Sequence, residues 1–521
     1  MMRFVLTISS LLVTAVLSAQ PCDIASVKAM LRPGTQMRIT DGLKLTAVVL
    51  TSPGNENLAD GVQTTYRNCS HTENNRTVYV QSSDGKDGAR LSFQHYDPEA
   101  KKAQRYCEIT LNLLGATLVR AADGSLSICD LPNGCIELVR PGSASALPLK
   151  EKTIGELTDE DIYTWVTIKD CEFVFKDGAY VNILEQYSQK SELNKQFKPN
   201  NYMDTWQTLL CDRNAAPLYV VINSLTPWRR DGNGVPQGSG NISGILVRGG
   251  IPRYGAVNAW QIRPQAKEDI AFEWKGTSSF NTLCEWNWND NSTTFKTDEG
   301  PVESFTKEKM LPDIGAGELT LGFTGTAVRG IDTNNPVLEP TAQEIKGSKG
   351  LVRKGSMEIR TQVRNWWNWG EDCGNAVLLK FSTKDIKAEK LLLAFSFSAG
   401  ANFAAGSRFN PAYWGVELST DNVHITRLNV PDIRLKSLPW WEKELDDVRY
   451  FTSADAGLGF TEHMVELPSS FIGQETVYVR ICPVRKNLMT LAMEDKANYS
   501  LRQNFDYKSY VSFGAITVRY R

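Results

Sequence analysis

Two side-chain types in this chain are placed to do chemistry, and both point to recognition more than to bond breaking. The first is tryptophan. The sequence holds 13, and the eight after Trp274 are Trp286 and Trp288; Trp366, Trp367 and Trp369; Trp414; and Trp440 and Trp441, most of them in local groups. An exposed indole offers a flat apolar face with an N–H donor at its edge, which suits stacking on the C–H face of a sugar ring. Asn365, Asn368 and Asp372 share the stretch and supply groups that bond sugar hydroxyls. Neighbouring residues of a strand point to opposite faces, so Trp366 and Trp367 cannot both enter one core, nor can Trp440 and Trp441. One of each pair is then exposed, or the rings pack beneath long loops; both readings stay open here. Trp414 is assigned to the core, because Val416 and Leu418 share its face.

The second type is the carboxylate. Asp290, Asp298 and Glu299 lie in the polar run 287–300, and oxygen-rich loops of this kind can hold calcium, although the spacing matches no EF-hand. Structural calcium is the one cofactor the sequence brings into consideration. Glu442, Glu444, Asp446 and Asp447 crowd together, which reads more simply as a solvated loop than as two acids held across a sugar-sized gap.

Motifs for nucleophilic or metal catalysis are missing from the sequence. Its four histidines, His71, His95, His424 and His463, make no H-E-x-x-H or other paired spacing, and there is no G-x-S-x-G elbow, Walker loop or helix-opening G-x-G-x-x-G. Ser239, between two glycines, precedes a strand, so tight backbone geometry explains it better than nucleophilicity. The chain is therefore not expected to be an enzyme. Ten cysteines are too thinly spread for a disulfide scaffold, and the single pair Cys129 and Cys135, bracketing an Asp-Leu-Pro-Asn-Gly turn, is the disulfide candidate.

These residues need a scaffold, and the periodicity predicts an all-β one. Leu391, Leu393, Phe395 and Phe397 alternate with Leu392, Ala394, Ser396 and Ser398; Trp414, Val416 and Leu418 repeat the pattern; Thr420-Asp421-Asn422 reads as a tight turn into a return strand at Val423 and Ile425. Residues 1–19 have a basic residue, an apolar run and small residues before Gln20, which is the pattern of a secretory signal peptide, so export to the periplasm, cell surface or medium is expected. Residues 23–148 and 149–272 each carry several short strands with one long polar insertion, suiting two small closed barrels and hinting at a duplication. Residues 273–521 carry the strands of one larger sandwich. The net charge of -2 at 521 residues gives no global basic field for nucleic acid.

The run Thr153-Ile-Gly-Glu-Leu157, the segment Trp165 to Phe173, Gly238-Ser-Gly-Asn-Ile-Ser-Gly-Ile-Leu246 and Ala259-Trp-Gln-Ile-Arg263 resemble a Bacteroidetes-type family of exported proteins with paired OB-like barrels and no assigned function. The resemblance covers about residues 23–272. Its members are often lipoproteins, and this chain departs from them in lacking a lipobox, since Cys22 follows Gln20 and Pro21. Tyr413 to Asp421 and the closing strand Gly514 to Tyr520 resemble jelly-roll domains of the galactose-binding-like or concanavalin-like kind. Together these imply a glycan or cell-surface ligand held by the sandwich, with the barrels as spacer or second site. Two alternatives are nucleic-acid or nucleotide binding by the barrels, through Arg229, Arg230, Arg248, Arg253, Lys101, Lys102 and Arg105, and a hydrolase built on the sandwich.

Overall fold

The computed structural model describes residues 20–51, 57, 75–95, 100–176, 208–222, 226, 228, 235–249, 259–273, 276–287, 311–324, 337–341, 356–361, 374–400, 413–428, 451–452, 454–455, 461–483 and 509–521. These residues fold as an all-β protein with one α-helix, Ile24–Ala29, among them. The described residues form four sheets: one in each of two barrels and two in a sandwich.

The first barrel holds β1 (Gln20–Cys22), β2 (Thr35–Arg38), β3 (Leu43–Val49), β4 (Thr77–Gln81), β5 (Gly88–Phe93), β6 (Glu108–Asn112), β7 (Thr117–Arg120), β8 (Leu126–Leu131) and β9 (Ile136–Arg140). Leu45, Ala47 and Val49 of β3 fall inside because a strand sends alternate side chains to one face, and they meet Val78, Val80, Leu91, Ile109, Leu111 and Ile128 in the barrel core. β2 runs on into β3 and β6 into β7. Bonds between Ile39 and Ala116, Gly115 and Ile39, and Leu113 and Leu43 carry the ladder through both bends. Treating each bent pair as one strand, the barrel closes in the order one-two-three-five-four-one, with β5 and β8 as its parallel pair.

The second barrel holds β10 (Glu151–Lys152), β11 (Trp165–Phe173), β12 (Thr208–Asp212), β13 (Pro217–Val220), β14 (Gly240–Gly249), β15 (Ala259–Arg263) and β16 (Ile270–Phe272). Its ring is β11-β12-β13-β15-β14, closed by β14 on β11, again with strands three and five parallel. The likeness extends to the flanks. A short strand pairs parallel to strand one in each barrel, β1 on β3 and β10 on β11, and a trailing strand joins strand four, β9 on β6 and β16 on β14. Two consecutive segments repeating one seven-part connectivity is what a duplication would leave.

The sandwich holds β17 (Asn281–Trp286), β18 (Ile314–Gly315), β19 (Glu318–Thr324), β20 (Val337–Thr341), β21 (Ser356–Thr361), β22 (Gly374–Phe381), β23 (Leu391–Gly400), β24 (Tyr413–Ser419), β25 (Thr426–Arg427), β26 (Phe451–Thr452), β27 (Ala454–Asp455), β28 (Thr461–Leu467), β29 (Val477–Pro483) and β30 (Ser509–Tyr520). An eight-stranded sheet is built about β30, which pairs with β17, β21 and β23; a six-stranded sheet runs β19-β22-β29-β24-β25, with β26 also on β24. Leu391, Leu393 and Phe395 from one sheet and Val377, Leu379, Val416, Leu418, Val479 and Ile481 from the other fill the space between.

The turn at Thr420 to Asn422 joins β24 to β25 as expected, and Asn422 takes the left-handed conformation. The return strand starts later than expected. β25 begins at Thr426, and Val423 lies outside it, 73 % exposed. The cysteine pair is corrected as well: Cys129 and Cys135 are not joined by a disulfide. Their turn is no hairpin, because β8 lies between β7 and β5 whereas β9 pairs with β6. Cys135 enters the barrel core, while Cys129 alternates with the core residue Ile128 onto the outer face.

Candidate functional site

The six-stranded sheet is where the structure gathers what the sequence singled out. β22 and β24 are both antiparallel to β29, so both start at the same end of the sheet. Gly374, the first residue of β22, directly follows the stretch that carries Asn365, Trp366, Trp367, Asn368, Trp369 and Asp372. Phe451, which follows the stretch with Trp440 and Trp441, pairs with Trp414 at the start of β24. Two tryptophan-bearing stretches, far apart in sequence, are therefore tethered to one end of one sheet. The tethers are separated by the steps β22-β29-β24-β26, or about 14 Å at the usual strand spacing. Trp369 precedes Gly374 by five residues and Trp441 precedes Phe451 by ten.

The tryptophans themselves, with Asn365, Asn368 and Asp372, lie outside the described residues, as do Asp290, Asp298, Glu299, His71 and the acids Glu442, Glu444, Asp446 and Asp447. Trp286 is placed: it is fully buried in the sandwich core. Trp414 has its backbone on β24, and its side chain lies outside the description. Among the described residues no group of three or more His, Cys, Asp or Glu could hold a metal ion. Ser239 leads into β14 beside Gly238, where an added Cβ would meet the Glu273 carbonyl at 2.7 Å, so backbone crowding accounts for these glycines.

Sequence reasoning missed the outward face of this sheet. Alternation in β19, β22, β29 and β24 sends every second side chain away from the core, and the register aligns them in two rows. One row is Glu318, Lys380, Tyr478 and Ser419; the other is Thr320, Leu378, Arg480, Glu417 and Arg427. Directly opposed residues of this kind stand within contact range of each other. Donors, acceptors, hydroxyls and one phenol ring share a surface, the mixture that fixes a polyhydroxylated ligand. Glu417 and Ser419 are only 3 % and 2 % exposed although they point away from the core, and Arg427 pairs with Glu417 at 3.5 Å. The signal was present in the run Val477-Tyr-Val-Arg-Ile481, a plain two-residue period whose polar members are Tyr478 and Arg480.

Arg480 also fixes the edge of the face. It donates to the Asn422 carbonyl at 3.3 Å and to its side-chain oxygen at 2.9 Å. Within the turn, Asp421 accepts from the N–H groups of Val423 and His424, and its second oxygen lies 2.6 Å from His424 Nδ1. The hydrogen bond from His424 and those from the backbone hold the Asp421 carboxyl well below the usual carboxylate range, and the same pairing raises His424 above its ordinary value. Histidine NMR should accordingly give His424 a midpoint above 6.5; a midpoint at or below that value would show that the contact does not persist in solution.

Two of the cations offered for nucleic acid, Arg105 and Arg248, are engaged within the protein. Arg105 lies over the rings of Tyr106 and Trp165, 4.7 Å from each centroid, and reaches Asp269 at 3.4 Å. Arg248 covers Trp260 at 4.0 Å and pairs with Asp159 at 2.7 Å. Arg229, Arg230 and Arg253 lie outside the described residues, and Lys101 and Lys102 are exposed on a short 3-10 turn. No helix among the described residues is long and apolar enough to cross a membrane.

No family model matches the chain, and no curated protein matches it. Solved structures do align with part of it. The CBM22-1 xylan-binding domain from Paenibacillus barcinonensis Xyn10C aligns over 46 % of this chain and 95 % of its own, at 9 % identity and a TM-score of 0.20. A family 29 carbohydrate-binding module aligns over 38 % and 88 %, at 9 % identity and a TM-score of 0.16. The enzymatically active domain of tailspike protein 4 from bacteriophage CBA120 aligns over 38 % and 19 %, at 10 % identity and a TM-score of 0.18. Scores this low fix neither fold nor ligand; the chain is similar in part to these β-rich proteins and is placed in no family by them.

Proposed function

We propose that this chain is an exported, non-catalytic protein that binds a glycan or cell-surface polymer at the tethered end of its six-stranded sheet. The observation that supports the reading is that Gly374 and Phe451, the described residues that follow the two tryptophan-bearing stretches in sequence, lie at the same end of one sheet. Indoles would stack on sugar rings there, with Asn365, Asn368 and Asp372 bonding hydroxyls and the rows through Tyr478 and Arg480 extending the polar surface. Nucleic-acid binding by the barrels is the alternative, and the engagement of Arg105 and Arg248 within the protein weighs against it.

Replacing Trp367, Trp369 or Trp441 by Ala separates a binding role from a packing role. A binding role predicts a near-wild-type melt with retention on immobilised polysaccharides lost. Packing beneath loops predicts a loss of about 3 kcal/mol or more in stability. If all three variants melt early, or if the wild-type chain is retained on no member of a broad glycan array, the aromatic site is withdrawn. A mobility shift of single-stranded DNA at low salt would move the assignment to the barrels.

A further inference from the structure

We propose that the two barrels are docking modules, each using the outer face of its second and third strands to hold the next domain, so that barrels and sandwich form one rigid body. In closed five-stranded Greek-key barrels that face is the usual ligand surface. Here it is occupied twice. In the first barrel, Tyr79 on strand two and Leu50 just past strand one pack against Trp165, Ile245 and Val247 on strands one and four of the second, and the Trp165 backbone N–H donates to the Gln81 side chain at 2.9 Å. In the second, Leu209, Cys211 and Tyr219 pack outward against Leu392, Ala394 and Met464 of the eight-stranded sheet.

A pair of facing hydroxyls stands on strands one and four in each barrel. Thr167 opposes Ser243 in the second barrel, their hydroxyls 2.8 Å apart; Thr46 opposes Thr110 in the first, at 3.1 Å. The next pair inward along the same face is Trp165 with Ile245 in the second barrel and Lys44 with Asn112 in the first. Trp165 and Ile245 are apolar where the first barrel packs on them. In the first barrel the pair is polar, with Lys44 in an ion pair to Glu137 at 2.7 Å.

Each contact is closed by buried polar groups. At the barrel junction an added Cβ on Gly88 would lie 2.3 Å from the backbone of Tyr163, whose φ of 66° is left-handed, so the two backbones meet with no room for a side chain. At the sandwich, the Leu209 N–H donates to Glu462 at 2.8 Å and the Tyr219 hydroxyl to the Glu462 carbonyl at 2.9 Å. Beside them, buried Glu172 accepts from Ser278 Oγ at 2.6 Å, the Ser279 N–H at 3.1 Å and Lys176 at 3.2 Å, with Arg519 of β30 at 3.9 Å.

Small-angle scattering and calorimetry on the full chain test the proposal. The wild type should scatter as one particle of fixed shape and melt with the barrels and sandwich coupled. Trp165→Lys, which puts a charge into the apolar contact between the barrels, should raise the radius of gyration and split off a separate transition for the first barrel, with secondary structure retained. Ala394→Glu, aimed at the second contact and away from the sandwich core, should release the sandwich in the same way. A wild-type profile that requires freely jointed domains would overturn the proposal, and this arm depends on no variant. So would a Trp165→Lys protein indistinguishable from wild type in both measurements.

Discussion

Trp286→Ala is expected to cost about 3–5 kcal/mol, the usual range for deleting a fully buried large aromatic ring. The indole has no exposed surface and sits in the core between the two sheets of the sandwich, on β17, which pairs with the central strand β30. Its surroundings are poorly able to collapse. A Cβ on Gly317 would already lie 3.3 Å from the ring, and Phe381, Leu379 and Ile516 belong to the same packed cluster. The cavity should therefore persist, and urea unfolding should show the loss as a lower midpoint at unchanged slope. A loss below about 1 kcal/mol would mean that the ring is not in the core, and would reopen Trp286 as a ligand contact alongside Trp288.

The strands with a clean two-residue period were legible in the sequence. β23, β24 and the turn at Asn422 lie where alternation and turn chemistry put them. β17 was missed. Only Cys284 and Trp286 of its residues are buried in the core, and the register shifts between Thr282 and Cys284, so no run of alternating apolar residues announces it. The inward face of β23 was legible, but the role of its other face was not. Leu392 and Ala394 look like the outer side of a sheet and are instead buried against the second barrel, because a contact between domains obeys packing that local periodicity cannot record.

The candidate site was legible in its residue types and not in its placement. Adjacent tryptophans showed that some indole must leave the core, which is a local argument. That the two stretches are anchored together follows from the pairing of β24 with both β26 and β29, a long-range fact. The Cys129 and Cys135 expectation failed for the matching reason. A Pro-Asn-Gly turn between two strands reads as a hairpin, whereas the barrel sends β8 and β9 to different partners. The two arginines offered for nucleic acid and placed here, Arg105 and Arg248, were visible as charges, but only the fold shows each stacked on a tryptophan.

Asp161→Asn is expected to destabilise the second barrel by about 2–3 kcal/mol at neutral pH, with a pH dependence that identifies the cause. The carboxylate is buried and pairs with Lys150 at 2.8 Å and Lys152 at 2.5 Å, and it accepts the Thr158 N–H at 2.9 Å. Removing one partner of a buried pair costs about 3–5 kcal/mol; both lysines keep about a fifth of their surface in water, which lowers the figure here. Burial pushes the Asp161 pKa up, and the two ammonium groups with the Thr158 N–H more than reverse that, so the folded value lies below 3.8. A carboxyl with a depressed folded pKa contributes stability that is fully present above its unfolded value and is lost as pH falls through the folded one. The gap between wild type and Asp161→Asn should thus be the same at pH 7 and pH 5.5 and shrink below about pH 4, where the wild-type carboxyl also becomes neutral. Lys150 additionally donates to the Gly85 carbonyl of the first barrel at 3.3 Å, so the variant should loosen that junction too. Urea titrations at the three pH values decide the matter: a gap that stays constant down to pH 3 would mean that the variant acts through shape or packing and not through the charge on Asp161.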